Sequence, residues 1–164
     1  MEKLLELNPQ LKIIATPTAV SFLQNIVNRD FCSIAVRDEQ EMQIGNITLR
    51  FLHVPNLHWP DTMYTYIEEE QALVTCDSFA SHYASWDILV SKVKNEDDYW
   101  KATKYYFDCI IGPFKPFMLK ALERVRQLDV SIICTGHGPV LDAGIDKMYN
   151  TYDCLLYTSD AADE

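Results

Sequence analysis

Basic residues and long apolar runs are both scarce in this chain. Its 164 residues contain 14 Lys and Arg against 24 Asp and Glu, which gives a formal net charge of −10 at pH 7. The basic residues are scattered rather than clustered, a pattern that argues against nucleic-acid binding. No apolar run approaches the roughly 20 residues that a membrane-spanning helix needs, and no signal peptide is visible. We therefore expect a cytoplasmic protein that binds neither nucleic acid nor membrane.

Cysteines are present without the pairing that marks a thiolate metal site. None of the five cysteines belongs to a Cys-x-x-Cys pair, so a four-thiolate zinc site is not predicted. Cys32, Cys76 and Cys134 lie in β-like runs, and we expect them to be buried, reduced thiols. Because 48% of the residues are hydrophobic, the chain can form a packed core rather than remain disordered.

Short strands and helices alternate along the chain without internal repeats or a linker that divides it. The first part is richer in strands and the later part in helices, with one further strand near the end. Predicted strands at Met63 to Ile67 and Ala72 to Cys76 are paired across the acidic turn Glu68-Glu69-Glu70, and a turn at Gly45-Asn46 is predicted before them. Helices are predicted at Ser85 to Val93 and Asp97 to Ile111, with an interruption at Pro113 and a resumption from Pro116 to Leu128. This order predicts the α+β class, with sheets covered by helices, rather than a doubly wound parallel sheet.

Three short phrases contain the residues that can carry chemistry. They are His58-Trp59-Pro60-Asp61, Cys76-Asp77-Ser78-Phe79 and Gly136-His137-Gly138-Pro139. Each phrase follows a β-like run, where a loop held by a rigid scaffold can turn a side chain toward a shared cleft. Two imidazoles and a carboxylate form a good part of a divalent-metal shell. We therefore predict that His58, Asp77 and His137 are metal ligands.

The neighbouring polar residues and glycines have more open interpretations. His53 is predicted to be a strand residue, whereas His82 either supports a ligand or is solvated. Asp61 either orients a ligand or caps a turn. Gly136 and Gly138 either let the backbone pass close to a metal centre or merely form a tight turn.

The same phrases resemble a known family. The runs His58-Trp59-Pro60-Asp61-Thr62-Met63, Asp77-Ser78-Phe79 and His137-Gly138-Pro139 are similar, in order and spacing, to the metallo-β-lactamase-like domain of flavodiiron proteins, or A-type flavoproteins. Other proteins of the metallo-β-lactamase fold share the His, Asp, His order, but the His-Trp-Pro-Asp phrase is more specific to the flavodiiron branch. The resemblance covers residues 1–153 and implies a partial metallo-β-lactamase-like αββα sandwich.

This resemblance implies a redox function. Flavodiiron proteins reduce dioxygen to water, or nitric oxide to nitrous oxide, at a non-haem di-iron centre. By carry-over, His58 binds one iron, Asp77 bridges both irons through its two oxygens, and His137 binds the other. The family's FMN lies in a flavodoxin-like domain, typically reaches the metals across a head-to-tail homodimer, and commonly receives electrons from a rubredoxin-type donor.

The chain departs from the family pattern at both ends. The family's first ligand block, His-x-Glu-x-Asp-His, and the first strands of the sandwich would precede Met1, and the FMN domain would follow. Residues 154–164 resemble the translation of a transposase-type sequencing-library adapter, so we expect a non-native tail after Asp153. We therefore expect a fragment with an incomplete di-iron site that has no reductase activity by itself.

Two other functions remain open at this stage. The chain can be part of a hydrolase of the same fold that uses zinc-bound hydroxide instead of redox chemistry. Alternatively, it can be a noncatalytic binding module in which His58, Asp77 and His137 have structural roles. Metal titration distinguishes the binding module from the two enzymes, because only the enzymes require these residues for metal affinity.

Overall fold

Strands dominate the first half of the chain and helices the second. The computed structural model describes residues 1–158. The helices and strands are α1 Glu2–Leu7, β1 Lys12–Ala15, α2 Pro17–Ile26, β2 Cys32–Ala35, β3 Glu41–Ile44, β4 Ile47–His53, β5 Met63–Ile67, β6 Ala72–Cys76, α3 Glu96–Tyr106, α4 Lys115–Val125, β7 Ile132–Thr135 and α5 Ile145–Thr158. The predicted α+β class is confirmed.

The described residues form two sheets. In the larger sheet the strand order is β3-β4-β5-β6-β7, and in the smaller one β1 pairs with β2 in parallel. All neighbours in the larger sheet are antiparallel except β6 and β7, which run in parallel. A parallel pair needs a long crossover, and here α3 and α4 provide it. The carboxyl ends of β6 and β7 therefore lie side by side.

Local sequence explains the antiparallel part of the sheet. The hairpin between β3 and β4 turns at Gly45, whose φ of 64° lies in the left-handed region that glycine adopts without a Cβ penalty. β5 alternates buried and half-buried residues, with Tyr64 and Tyr66 facing the core. The predicted pairing of β5 with β6 across an acidic turn is confirmed.

The helices bury apolar faces against the larger sheet. In α4 the buried residues recur at helical spacing: Met118, Ala121, Leu122 and Val125. Full burial of a Met or Leu side chain contributes about 1.5–3 kcal/mol. The same core includes Tyr152 of α5 and Leu73 of β6, so the helical layer and the sheet share one hydrophobic core.

The segment between α3 and α4 is not regular α-helix. A π-helical stretch at Phe107–Ile111 is followed by a 3₁₀ turn at Gly112–Phe114. Pro113 lacks the amide hydrogen that an uninterrupted helix would require, so the predicted interruption at this residue is confirmed. π-helical turns often occur at functional sites, and this one is followed by Phe114, which contacts His58.

The predicted helix at Ser85 to Val93 is wrong. Within this segment the structure has only a 3₁₀ turn at Val90–Lys92. The amide of Val90 donates to the carbonyl of Val140, and the amide of Val140 donates to the carbonyl of Ile88. These strand-like hydrogen bonds occupy backbone groups that a helix would need.

The expected burial of the cysteines is also wrong in part. Cys32 and Cys76 are exposed, and Cys134 is half-buried. Cys32 lies in the two-stranded sheet, where only one strand flanks it. Cys76 has a φ of 52° and follows a register irregularity in β6, which takes it out of the alternation of the strand.

The C-terminal helix includes part of the expected non-native tail. α5 runs through the proposed junction after Asp153, and Leu156 is buried in the core with 2% exposure. Residues 159–164 lie outside the described part of the chain. Within residues 1–158, no helix has both the length and the apolar character needed to cross a bilayer.

Candidate metal centre

One edge of the larger sheet brings together the three predicted ligands. Asp77 follows β6 and His137 follows β7, and these parallel neighbours end at the same edge. His58 lies in the loop between β4 and β5. Because β5 pairs antiparallel with β6, the start of β5 and the loop before it lie at that edge too.

Asp77 stands between the two histidines. Its Oδ2 lies 3.3 Å from Nε2 of His58, and its Oδ1 lies 3.3 Å from Nε2 of His137. Each imidazole thus faces a different oxygen of the same carboxylate. The Asp77 side chain is 23% exposed, whereas those of His58 and His137 are 29% and 49% exposed.

These two distances are those expected between two atoms that bind the same metal ion. Two atoms bound about 2.1 Å from one ion lie roughly 3.0–3.4 Å apart in octahedral or tetrahedral geometry. A separation of 3.3 Å on each side of Asp77 therefore accommodates one ion between His58 and Oδ2 and another between Oδ1 and His137. The nitrogen and oxygen donors suit iron and zinc alike.

The site nevertheless contains few atoms that can bind a metal ion. Among residues 1–158, no group of three or more His, Cys, Asp and Glu side chains is arranged to hold a metal ion. The pairwise geometry explains this, since each half of the site offers one imidazole nitrogen and one oxygen of Asp77. Zinc normally has four ligands, so these residues supply about half of each shell.

Hydrogen bonds with buried residues fix the loop that carries Asp77. The hydroxyl of Thr75 donates to the carbonyl of Ser78 at 2.9 Å, and the amide of Phe79 donates to the hydroxyl of Tyr152 at 2.8 Å. Cys76 and Phe79 both have left-handed backbones, with φ of 52° and 61°. This conformation costs roughly 1–2 kcal/mol for a residue with a side chain, a strain characteristic of functional sites.

Glycine is required on both sides of His137. A Cβ on Gly136 would lie 2.9 Å from the carbonyl oxygen of Cys76 and 3.4 Å from Oδ1 of Asp77. A Cβ on Gly138 would lie 2.4 Å from Oγ of Ser81, and Gly138 also has a φ of 79°. The two glycines therefore let the His137 loop pack closely against the Asp77 loop.

Aromatic rings surround both histidines. The centroid of His58 lies 5.8 Å from that of Trp59 and 6.2 Å from that of Phe114. The sequence does not mark Phe114 as a site residue, because its position in the helical region resembles that of a core residue. Trp59 is 60% exposed, so it packs at the rim of the site rather than in the core.

His137 has a different ring environment. Its centroid lies 5.3 Å from that of His82 and 6.1 Å from that of Tyr106. The sequence does not mark Tyr106 either, since it belongs to the buried face of α3. Burial, and then the negative charge of Asp77, raise the pKa of the Tyr106 phenol. The phenol therefore stays neutral and protonated beside the carboxylate.

The remaining predicted residues lie outside the histidine and carboxylate contacts. His53 is a strand residue at the end of β4, as predicted, and its carbonyl accepts a hydrogen bond from Arg124. Asp61 contributes its carbonyl, which accepts from the hydroxyl of Thr16 at 3.1 Å. This contact joins the His58 loop to the start of α2, where Thr16 is the N-cap.

An apolar groove of about 520 Å³ opens next to the site. Trp59 and Asp77 line it on the site's side, and Phe22, Leu23 and Ile26 of α2 line it on the other. A larger depression of about 840 Å³ lies at the start of α5, and its lining includes none of the three predicted ligands. The groove therefore places an apolar surface beside Asp77.

Comparison with known proteins identifies relatives along most of the chain. A family model described as "ODP family beta lactamase" matches residues 1–138. The chain is 37% identical over 143 residues to the flavo-diiron protein FprA2 of Clostridium acetobutylicum, covering 86% of this chain and 36% of that protein. It is 36% identical over 157 residues to the diflavin flavoprotein A 1 of Synechocystis sp., covering 93% of this chain and 26% of that protein.

Solved structures agree with these sequence relatives. The crystal structure of the flavodiiron protein from Giardia intestinalis matches with a TM-score of 0.84 and 27% identity, covering 88% of this chain and 36% of that chain. The chain spans about a quarter to a third of the length of the curated relatives it matches. The fold is thus that of the metallo-β-lactamase-like domain, as the sequence predicted.

Proposed function

Because the chain belongs to the family described as ODP family beta lactamase, with flavodiiron relatives, we propose that it is the metal-binding part of a flavodiiron oxidoreductase. The whole protein would reduce dioxygen to water or nitric oxide to nitrous oxide. One observation supports this most directly: Asp77 faces a different histidine with each of its oxygens, at 3.3 Å in both cases. A two-metal hydrolase can use the same geometry, so the flavodiiron relatives are what favour the redox function over hydrolysis.

Each residue of the site has a defined task in this proposal. His58 and His137 would each hold one iron, and Asp77 would bridge the pair. A single carboxylate placed between two cations reduces their mutual repulsion, and its two oxygens allow it to bind both. The di-iron centre, when bound, supplies electrons to the gas. Tyr106 keeps its proton beside Asp77 because burial disfavours the phenolate.

The rest of the proposed enzyme lies beyond these residues. We propose that FMN in a flavodoxin-like domain resupplies electrons, that a rubredoxin-type protein delivers them, and that the whole protein is a head-to-tail homodimer in the cytoplasm. The resemblance to flavodiiron proteins supports these assignments, as do relatives named flavo-diiron protein and diflavin flavoprotein. We also keep the proposal that residues 1–153 are the natural domain and 154–164 a non-native tail, which resequencing of the locus tests.

The isolated chain is expected to be inactive. Each half of the site offers two donors, about half of a usual shell, and open positions filled by water hold an ion weakly. We therefore expect no reduction of dioxygen or nitric oxide when the chain is mixed with iron and a reduced flavin or rubredoxin. Turnover that Asp77→Ala abolishes would contradict this expectation.

Titration with Co²⁺ tests the metal-binding role itself. Asp77→Asn keeps the shape of the side chain but removes the charge that both cations share, so we expect affinity to fall at least about 10-fold, the lower end of what disturbed metal sites lose. Asp87→Asn is the matched control, because Asp87 is an exposed aspartate outside the site. Equal affinities for Asp77→Asn and the unmodified chain would support the noncatalytic module instead.

A further inference from the structure

We infer that His82 is a positioning residue, whose ring holds the imidazole of His137 toward Oδ1 of Asp77. The inference rests on the proposed metal-binding function and deepens it, since it identifies what orients one of the two histidines. The geometry that points to it is a triangle of three rings, in which Tyr106 also lies 6.1 Å from His137. His82 lies edge-on to Tyr106 at 4.8 Å and edge-on to His137 at 5.3 Å, with interplanar angles of 88° and 89°.

His137 needs such a support because its own loop fixes only its backbone. Its carbonyl accepts hydrogen bonds from the amide of Ser81 at 3.3 Å and the hydroxyl of Thr135 at 2.9 Å. Its side chain is 49% exposed and stands between Gly136 and Gly138, which have no side chains to pack against it. Besides the contact of its Nε2 with Oδ1 of Asp77, the rotamer of His137 therefore depends on rings from other segments.

Tyr106 is the fixed member of this group of rings. It is 2% exposed and belongs to α3, whose buried face includes Tyr99 and Thr103. His82 is exposed and lies edge-on to both Tyr106 and His137, closer to each of them than they are to one another. Edge-to-face contacts between rings have a preferred angle, so these contacts constrain the orientation of a ring as well as its position. Tyr106 thus orients His82, and His82 adds an edge-on contact to the tilted one that Tyr106 makes with His137.

The other histidine provides an internal comparison. His58 is 29% exposed and packs against Trp59 and Phe114, and neither ring is in contact with His82. Disturbing His82 should therefore affect the His137 half of the site and spare the His58 half. Among the described residues, no carboxylate forms an ion pair with His82, which favours a role through its ring contacts.

Three variants of the full chain test the inference. His82→Ala removes the ring, His82→Phe restores a ring of similar shape without its nitrogens, and Phe114→Ala removes the support of the other histidine. Two readouts are made on each: the ring nitrogen signals of His58 and His137 in ¹⁵N spectra of the metal-free chain, and Co²⁺ affinity by titration. Backbone amide spectra establish that each variant is folded.

We expect His82→Ala to move the ring signals of His137, to leave those of His58 in place, and to weaken Co²⁺ binding about 10-fold, as loss of an orienting partner usually does. His82→Phe should restore most of the affinity and the His137 signals. Phe114→Ala should produce the opposite pattern, moving the signals of His58 and leaving those of His137.

Two results would overturn the inference. One is that His82→Ala leaves the His137 signals unchanged, and the other is that His82→Phe is as impaired as His82→Ala, since a ring contact would then not be the cause. If the unmodified chain binds no Co²⁺, the proposed metal-binding function fails. The ring signals of the metal-free chain would still decide whether His82 positions His137.

Discussion

The floor and the walls of the candidate metal centre are built differently. The floor is the Asp77 loop, where Phe79 is fully buried and its amide donates to Tyr152 of the core. The walls are the loops of His58 and His137, whose side chains are 29% and 49% exposed. The Asp77 carboxylate is thus held by the hydrophobic core, whereas the histidines are held by close backbone packing and by surface rings.

This difference assigns separate physical tasks to the two regions. A carboxylate shared by two cations must stay in place, and burial of its neighbours achieves this at the cost of left-handed backbones at Cys76 and Phe79. Histidines that take up metal ions from solution must remain accessible, so they cannot be covered in the same way. Substitutions of the buried residues that support Asp77 should therefore reduce stability, and those of the exposed side chains in the walls should reduce metal affinity first.

The largest effect on stability is expected at Phe79. Its ring is fully buried and contacts Tyr149 and Tyr152 at 5.6 Å and 4.8 Å. Phe79→Ala leaves a cavity in the core and should lower the free energy of unfolding by about 3–5 kcal/mol, measured by urea denaturation. Trp59→Ala, in the wall, is the matched control and should cost about 0.5 kcal/mol or less, because Trp59 is 60% exposed. Comparable losses in the two variants would refute the distinction between floor and walls.

A smaller loss of stability is expected where the His137 loop packs against the Asp77 loop. Gly138→Ala places a Cβ 2.5 Å from the backbone carbonyl oxygen of Ser81 at a residue with φ of 79°, so it combines a clash with backbone strain and should cost roughly 2–4 kcal/mol. Gly45→Ala is the control, because Gly45 has a φ of 64° but nothing within 4 Å of the added Cβ. Gly45→Ala should lower the free energy of unfolding by the backbone strain alone, roughly 1–2 kcal/mol. Equal unfolding free energies for the two variants would show that the two loops do not pack closely.

The sequence predicts the parts of the molecule that depend on local patterns. The Gly45 turn, the pairing of β5 with β6 and the helix break at Pro113 each follow from residues adjacent in sequence. The helix predicted at Ser85 to Val93 fails because hydrogen bonds to Val140, distant in sequence, determine that segment. No local pattern encodes such a partner.

The same limit applies to the site. His58, Asp77 and His137 were identified because each stands in a distinctive phrase after a strand, and the structure brings their side chains together. Tyr106 and Phe114 were missed because nothing in their own segments distinguishes them from core residues. Their contacts with the histidines arise only when the helical region folds over the edge of the sheet.

The number of ions bound per chain tests the central claim most directly. Native mass spectrometry of the full chain with excess Co²⁺ should detect two bound ions per chain, because each oxygen of Asp77 faces its own histidine. His58→Ala and His137→Ala should each retain one ion, and Asp77→Ala should lose both. A single ion that survives Asp77→Ala would contradict the account, since Asp77 would then not be the shared ligand.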